Sequence, residues 1–491
     1  MTSRRAFLAS LASTCALNSQ PTTGQRPNII MLSVDDMNDW VNCLGGYEGV
    51  KTPNIDRLAG RGVLFKNAHC ASPLCNPSRT ALFTGLRPST TGVYDNEQWW
   101  RPALPNAVTI PQYFRKHGYT VVGAGKVFHH NAGFNPPDQW DDFQLQEFDD
   151  PWYRRPEWYP WNKKVPNPPG HPFNGIKNIQ GEFDWGILPK PEAAYGDMKA
   201  IEYGQRFLAQ KHDKPFLLSV GLWHPHIPMF APKKYFDLYK PSDIRLPINP
   251  EDDFDDIPEP GRVMAAARRE EHETIVREGK WKDAIHAYLA CISFADHMVG
   301  MMLDALDGSA YAKNTILVFW SDNGWHLGEK IHWHKSTLWQ RATHVPLIFA
   351  GPGMRATNVP RNQAVTLLDL YPTLVDMAGL PKNPTNEGLS LRPLLENAKA
   401  ARPPAVITFL KGNHAVRNER WRYIRYHDGS EELYDEVADP NDFHNLASKP
   451  EYAAMKKEFQ QWLPKTNANP VPARSAYDFD FATHTWTKKK S

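Results

Sequence analysis

Asn28-Ile29-Ile30-Met31-Leu32-Ser33-Val34, closed by Asp35-Asp36, is a short apolar run that ends in two carboxylates. Its length and apolar content read as a strand buried on both faces, with the acidic pair at its carboxyl end. Runs of the same kind recur at Tyr119–Ala124, Phe216–Leu222, Thr315–Trp320 and Val345–Ala350. Helical patterns lie between them, at Ile55–Arg61, Ile110–His117, Glu192–Leu208, Lys282–Leu306 and Leu367–Ala378. This alternation predicts an α/β fold: a large, mixed, mostly parallel sheet flanked by helices. In such sheets functional groups gather beyond the carboxyl ends of the strands. Most of the polar motifs fall there.

Outside this core the pattern changes. Residues 136–172 hold nine prolines and four tryptophans, Trp140, Trp152, Trp158 and Trp161. The segment is too long and aperiodic for a connector, so it is expected as an elaborated loop, with some indoles at the mouth of a pocket and Arg101 or Arg154 nearby. Leu246 to Thr274, acidic and then basic, is expected as a surface excursion. After Gly388 short strands at Ala405–Leu410 and Ala415–Tyr426 lead through the Asp428-Gly429 turn into Glu432-Leu433-Tyr434-Asp435. They predict a smaller C-terminal α+β subdomain with an antiparallel sheet. The expected division is 1–25 export signal, 26–395 catalytic domain and 396–491 C-terminal subdomain.

The composition sets limits. With 56 Lys+Arg against 54 Asp+Glu the 491-residue chain is nearly neutral, which argues against nucleic acid as a partner through bulk field. Arg4-Arg5 ahead of a short apolar stretch, Ala6 to Leu17, reads as a twin-arginine export signal, hence a periplasmic or secreted protein. A lipoprotein anchor at Cys15 fits less well. No later run is long and apolar enough to predict a membrane span. Cys43, Cys70, Cys75 and Cys291 are too few and too scattered for a disulfide scaffold.

The chemistry centres on Cys75-Asn76-Pro77-Ser78-Arg79-Thr80-Ala81-Leu82-Phe83-Thr84-Gly85. Taken bare, it is a thiol at a helix N-terminus, where a thiolate or anion is stabilised. A Cys-x5-Arg phosphatase loop would need arginine where Ala81 stands. No Cys-x-x-Cys pair points to redox or zinc use.

Cys-x-Pro-Ser-Arg followed by Leu-x-Thr-Gly resembles the signature of the type I, formylglycine-dependent sulfatases, whose fold is alkaline-phosphatase-like. The resemblance implies that Cys75 is converted by a formylglycine-generating enzyme to Cα-formylglycine, whose hydrate is the nucleophile. It implies a metal set of Asp35, Asp36, residue 75, Asp322 and Asn323, the last two from Trp320-Ser321-Asp322-Asn323-Gly324. Oxygen donors from two strand ends suit Ca²⁺, with Mg²⁺ as the alternative, rather than zinc. It further implies Arg79 as the residue holding the nucleophile. Lys126 and His129 come from Gly125-Lys126-Val127-Phe128-His129, with His130 adjacent. His226 comes from Trp223-His224-Pro225-His226-Ile227-Pro228, chosen over His224 by the Pro-His-x-Pro frame. Lys335 closes Gly328-Glu329-Lys330-Ile331-His332-Trp333-His334-Lys335. In the implied mechanism Asp322 takes the attacking hydroxyl's proton, His226 with Lys335 protonates the leaving oxygen, and His129 acts last.

The paired histidines also permit a two-zinc phosphatase or phosphonate hydrolase of the same superfamily, against which Cys75 in an intact maturation motif argues. A sulfated-glycan-binding protein without turnover would be expected to have lost one of these residues; none is lost. Three features resemble iduronate-2-sulfatase-like members most: the Lys126 to His129 spacing, Tyr94-Asp95-Asn96, and Gly324-Trp325-His326-Leu327-Gly328-Glu329. With the export signal and the tryptophans, they point to a sulfated polysaccharide or oligosaccharide. A sulfated uronic acid unit leads, as in glycosaminoglycans or ulvan-like glycans. A carrageenan-type galactan follows.

Overall fold

A computed structural model of the chain describes residues 26–130, 133–144, 170–177, 179, 183–480 and 482–490. The expected export signal, Cys15, Arg154, Trp152, Trp158 and Trp161 lie outside the described residues. In chain order the elements that build the core are β1 (Asn28–Asp35), α1 (Pro53–Arg61), β2 (Val63–Leu64), α2 (Cys75–Thr84), α3 (Ile110–Lys116), β3 (Thr120–Gly125), β4 (Asp142–Gln144), α4 (Gly196–Leu208), β5 (Phe216–Pro225), α5 (Glu259–Ala266), α6 (Arg269–Arg277), α7 (Trp281–Asp307), β6 (Thr315–Ser321), β7 (Leu347–Ala350) and α8 (Leu370–Met377).

The seven-stranded sheet has the order β2-β7-β6-β1-β5-β3-β4. The five strands from β6 to β4 run parallel; at one edge β7 is antiparallel to β6, and β2 is antiparallel to β7. Strand β1 shows why the run is apolar throughout. Ile30, Leu32 and Val34 face a core shared with α1, α4 and α7, whereas Ile29 and Met31 face a second core with α2, α3 and α8. A strand covered on both faces cannot alternate apolar with polar. The 27-residue α7 is long and apolar enough by composition to cross a membrane. Its apolar residues are packed in the first core, where Ile285, Leu289, Ile292 and Met298 are fully buried.

The C-terminal sheet is antiparallel and four-stranded: β8 (Ala405–Thr408), β9 (His414–Arg417), β10 (Trp421–Arg425) and β11 (Glu431–Asp435). Ile407, Ala415, Ile424 and Tyr434 on one face pack against Leu338 and Trp339, and Val406, Val416, Tyr423 and Leu433 on the other pack against Phe459. Its first face therefore abuts the segment that follows Lys335.

Two expectations are corrected. Trp140 is 5% exposed, packs on Phe143 and donates its indole N–H to Asn135 Oδ1 at 2.7 Å, so it is a core residue and not a platform. The excursion from Leu246 to Thr274 is a packed support, since α5 and α6 bury Glu271 and His272 against the Lys335 segment. Near the C-terminus β12 (Tyr477–Asp480) and β13 (Thr485–Lys488) form a hairpin. Phe479 and Trp486 of that hairpin lie against Trp99.

The strap leading into the hairpin is fastened to residues 89–98. Ala468 N donates to Ser89 O, Val471 N to Gly92 O, and Gln98 Nε2 to Val471 O. The same loop grips the start of α2: Asn76 N donates to Asn96 Oδ1 and Asn76 Nδ2 to the carbonyls of Asp95 and Gln98.

Candidate active site

The site lies beyond the carboxyl ends of β6, β1, β5 and β3, four neighbouring parallel strands. Asp35 ends β1 and Asp36 follows it. Successive strand residues point to opposite faces, yet both carboxylates serve one spot. A register irregularity between Ser33 and Asp35 and a left-handed Asp36, at φ 60°, turn the chain. That conformation costs a non-glycine residue ~1–3 kcal/mol. It is held by Tyr288 Oη donating to Asp36 O at 2.7 Å and by Asp36 N donating to Asp322 Oδ1 at 3.1 Å. Tyr288, on α7, is a supporting residue that the sequence did not disclose; an apolar helix face carrying one phenol gives no signal.

Cys75 is the first residue of α2, which is buried along its whole length and ends at Gly85, where φ is 73° and N–H reaches Ala81 O. The Sγ of Cys75 lies 3.7 Å from Asp35 Oδ1, 3.9 Å from Asp36 Oδ1 and 2.9 Å from Lys335 Nζ. One turn on, Arg79 is fully buried. Its Nε donates to Asp322 Oδ2 at 2.8 Å, Nη2 to Asp35 Oδ1 at 3.1 Å, and Nη1 to the carbonyls of Lys126 and Val127. This guanidinium ties three strand ends together. Asn323, after β6, donates Nδ2 to Asp36 Oδ1 at 2.7 Å.

Lys126 leaves β3 where it touches β5: a Cβ on Gly221 would sit 1.9 Å from Lys126 O, so only glycine fits there. Lys126 Nζ is paired with Asp35 Oδ2. His226 Nε2 lies 3.5 Å from Asp36 Oδ2, while Nδ1 is bound to Ile227 O. His224 points elsewhere, to Asp197 Oδ2 and Phe230 O, as a structural residue. His129 and His130 are both buried, with ring centroids 4.0 Å apart. Lys335 Nζ is 2.5 Å from Asp36 Oδ1. It is flanked by left-handed His334 and Ser336. His334 is fastened to Glu271 at 2.7 Å, and His332 stands between Ala265 O and Lys335 O. The histidines of this segment are thus supports rather than ligands.

Three carboxylates are balanced by Arg79, Lys126 and Lys335 in a space closed to solvent. Burial alone would raise Asp35, but Lys126, His226 and Arg79 hold it well below the usual carboxylate range. Burial and the charge of Asp35 raise Asp36 against the pull of Lys335. Burial with Asp35 and Asp36 pushes Asp322 up to about 7, against Arg79. His129 and His226 are held well below the usual imidazole range by burial first; His130 and Lys126 add to this at His129, Lys126 and Lys335 at His226. Burial and Asp35 also push the Cys75 thiol well above its ordinary value, so the thiolate expected at a helix N-terminus is disfavoured. As a bare thiol Cys75 is poorly activated.

The donor set fits a hard cation. Ligand oxygens of Asp35, Asp36 and Asp322 lie within 4.8 Å of one another. Asp36 Oδ2 and Asn323 Oδ1 are buried acceptors without a hydrogen-bond donor. Oxygen acceptors crowded in this way suit Ca²⁺ or Mg²⁺.

Residues 27–380 match the family described as Sulfatase, and residues 328–469 match N-sulphoglucosamine sulphohydrolase, C-terminal. A sulfatase of Formosa agariphila is 38% identical over 476 residues, covering 92% of this chain and 89% of the relative. Iduronate 2-sulfatase of Homo sapiens is 33% identical over 414 residues, covering 76% and 74%. A solved 2-O GAG sulfatase superposes with a TM-score of 0.67 at 25% identity, covering 89% of this chain and 91% of that one.

Proposed function

This chain belongs to the sulfatase family and is a sulfuric ester hydrolase; on that premise we propose that it removes an O-sulfate from a sulfated polysaccharide or oligosaccharide, with a sulfated uronic acid unit as the leading substrate. The observation that carries the reading is the meeting of Cys75 with three carboxylates and two ammoniums in one buried space, beneath an intact Cys-x-Pro-Ser-Arg sequence. The uronate is supported by the likeness to iduronate 2-sulfatase and to a 2-O GAG sulfatase.

Asp35, Asp36, Asp322 and Asn323, with the side chain of residue 75, would hold a divalent cation, calcium or magnesium, which supplies Lewis-acid and templating chemistry. Formylglycine at position 75, installed by a formylglycine-generating enzyme, supplies the nucleophile as its hydrate. The protein side chains do the rest. Lys126 and Lys335 neutralise sulfate oxygens, a task that their burial strengthens. Arg79 fixes Asp35 and Asp322 and orients residue 75. Asp322 receives the proton of the attacking hydroxyl. His226 has Nδ1 committed to Ile227 O, so Nε2 faces the site; the charge of a bound sulfate ester favours the imidazolium, which with Lys335 protonates the leaving sugar oxygen. His129 accepts the last proton of the cycle. Arg4-Arg5 and the apolar stretch after it support export to the periplasm or beyond.

The test is mass spectrometry of the Cys75 peptide joined to sulfate release from defined sulfated oligosaccharides. The aldehyde is expected at residue 75, and 2-O-sulfated uronate oligosaccharides should be turned over with far higher kcat/KM than 4-nitrophenyl sulfate. An active enzyme with unmodified cysteine refutes the nucleophile. A preference for the aryl ester refutes the polysaccharide.

A further inference from the structure

Trp223 opens the stretch that supplies His226 and carries no charge, yet it touches two of the groups assigned to the substrate. The Nζ of Lys126 stands 3.8 Å from the centroid of its ring, an ammonium against an aromatic face. The indole Nε1 donates to Ile227 O at 3.1 Å, and that carbonyl also receives Nδ1 of His226. The rings of Trp223 and His226 meet edge to face with centroids 4.7 Å apart. The indole is only 4% exposed. Its backbone is pinned as well: both carboxylate oxygens of Asp197 accept from Trp223 N, and Asp197 also holds His224.

We propose that Trp223 is a positioning residue with two separable duties: its ring face seats the Lys126 ammonium toward the sulfate, and its N–H fixes the Ile227 carbonyl that orients His226 toward the leaving oxygen. This rests on the roles given above to Lys126 and His226. The first duty follows from the quadrupole of the ring, which attracts a desolvated cation more strongly than an exposed one. Asp35 on one side and the indole on the other restrict where Nζ can sit. The second follows from geometry. A carbonyl that accepts two donors is held in place, and with it the imidazole whose far nitrogen must present a proton. Phenylalanine keeps the first duty and loses the second; leucine loses both.

The readout is the split between substrates. A sugar alkoxide is a poor leaving group and needs the proton from His226, whereas 4-nitrophenolate hardly does. Trp223→Phe should lower kcat on the sulfated oligosaccharide roughly tenfold and on 4-nitrophenyl sulfate by no more than about twofold. Inorganic sulfate, titrated calorimetrically onto the calcium-loaded protein, should bind Trp223→Phe within about twofold of wild type and Trp223→Leu roughly tenfold more weakly. Melting temperature and aldehyde content at residue 75 control for folding and maturation. Equal losses on both substrates by both variants, with unchanged sulfate binding, overturn the proposal and make Trp223 a packing residue. A wild-type protein that binds sulfate but turns over no ester refutes the assigned function instead, while the sulfate titration of Trp223→Leu still decides the first duty.

Discussion

Arg79→Gln should cost the fold about 3–5 kcal/mol. The guanidinium is fully buried, and two of its partners, Asp35 and Asp322, are equally closed to solvent. Removing one partner of a buried pair strands the other charge, and losses of ~3–5 kcal/mol are typical. The carbonyls of Lys126 and Val127 lose their donor as well. Unfolding entropy near ~2 cal/mol/K per residue gives ~1 kcal/mol/K for 491 residues, so the expected fall in Tm is about 3–5 °C. Differential scanning calorimetry with calcium and with a chelator measures it. Calcium offsets the stranded carboxylates, so the difference from wild type should be smaller in its presence. Arg79→Lys, which keeps the charge without the planar fork, should fall between. A shift below about 1 °C for Arg79→Gln in chelator would mean that the carboxylates do not depend on the guanidinium, and the electrostatic account of the site would be wrong.

Cys75→Ala should release no sulfate from any ester and should bind calcium more weakly, having lost one ligand; full turnover by this variant excludes the proposed nucleophile. Chelation should lower Tm of the wild-type protein, and calcium at about 1,000-fold its dissociation constant should restore ~4 kcal/mol, roughly 4 °C; the Asp36→Asn, Asp322→Asn double variant should show neither effect. His414, on β9, is buried between Thr408 Oγ1 and Asn467 Oδ1 and is lowered by burial to about 4. Below ~6.5 the unfolded chain takes up a proton that the fold refuses, so up to ~3 kcal/mol of stability is lost as pH falls from ~6.5 to about 4. Calorimetry from pH 7 to pH 4.5 should find the stability difference between wild type and His414→Gln shrinking with acid; a constant difference would refute this assignment.

The ends of β1 and β6 were legible because each announces itself twice, as an apolar run and as the acid or amide that closes it. Asp35, Asp36, Asp322 and Asn323 all follow that rule, and the parallel sheet brings them together. Of the two histidines in the Trp223–Pro228 stretch, His226 turns Nε2 toward Asp36, whereas His224 is committed to Asp197. What the sequence hid was support made of polar groups. Glu271 and His272 sit in a charged stretch that reads as surface, yet they are buried against His334 and Trp333. Trp140 misled in the opposite direction, because a tryptophan in a proline-rich segment looks exposed until Asn135 and Phe143 are found beside it. The hairpin of Tyr477–Asp480 did carry a signal, alternating Tyr477 and Phe479 with aspartates, but four residues are too few to stand out.

The strap that fastens residues 89–98 has a consequence in time. Cys75 is completely enclosed, so the modifying enzyme proposed above would have to meet its segment as open chain. The loop that grips Asn76 is itself fastened by residues 468 and 471, which the ribosome adds nearly 400 residues later. At ~5–20 residues per second that interval is about 20–80 s. The polypeptide's own order of synthesis therefore sets a waiting period: the cysteine is exposed early, and the clasp that helps to seal its helix is made last.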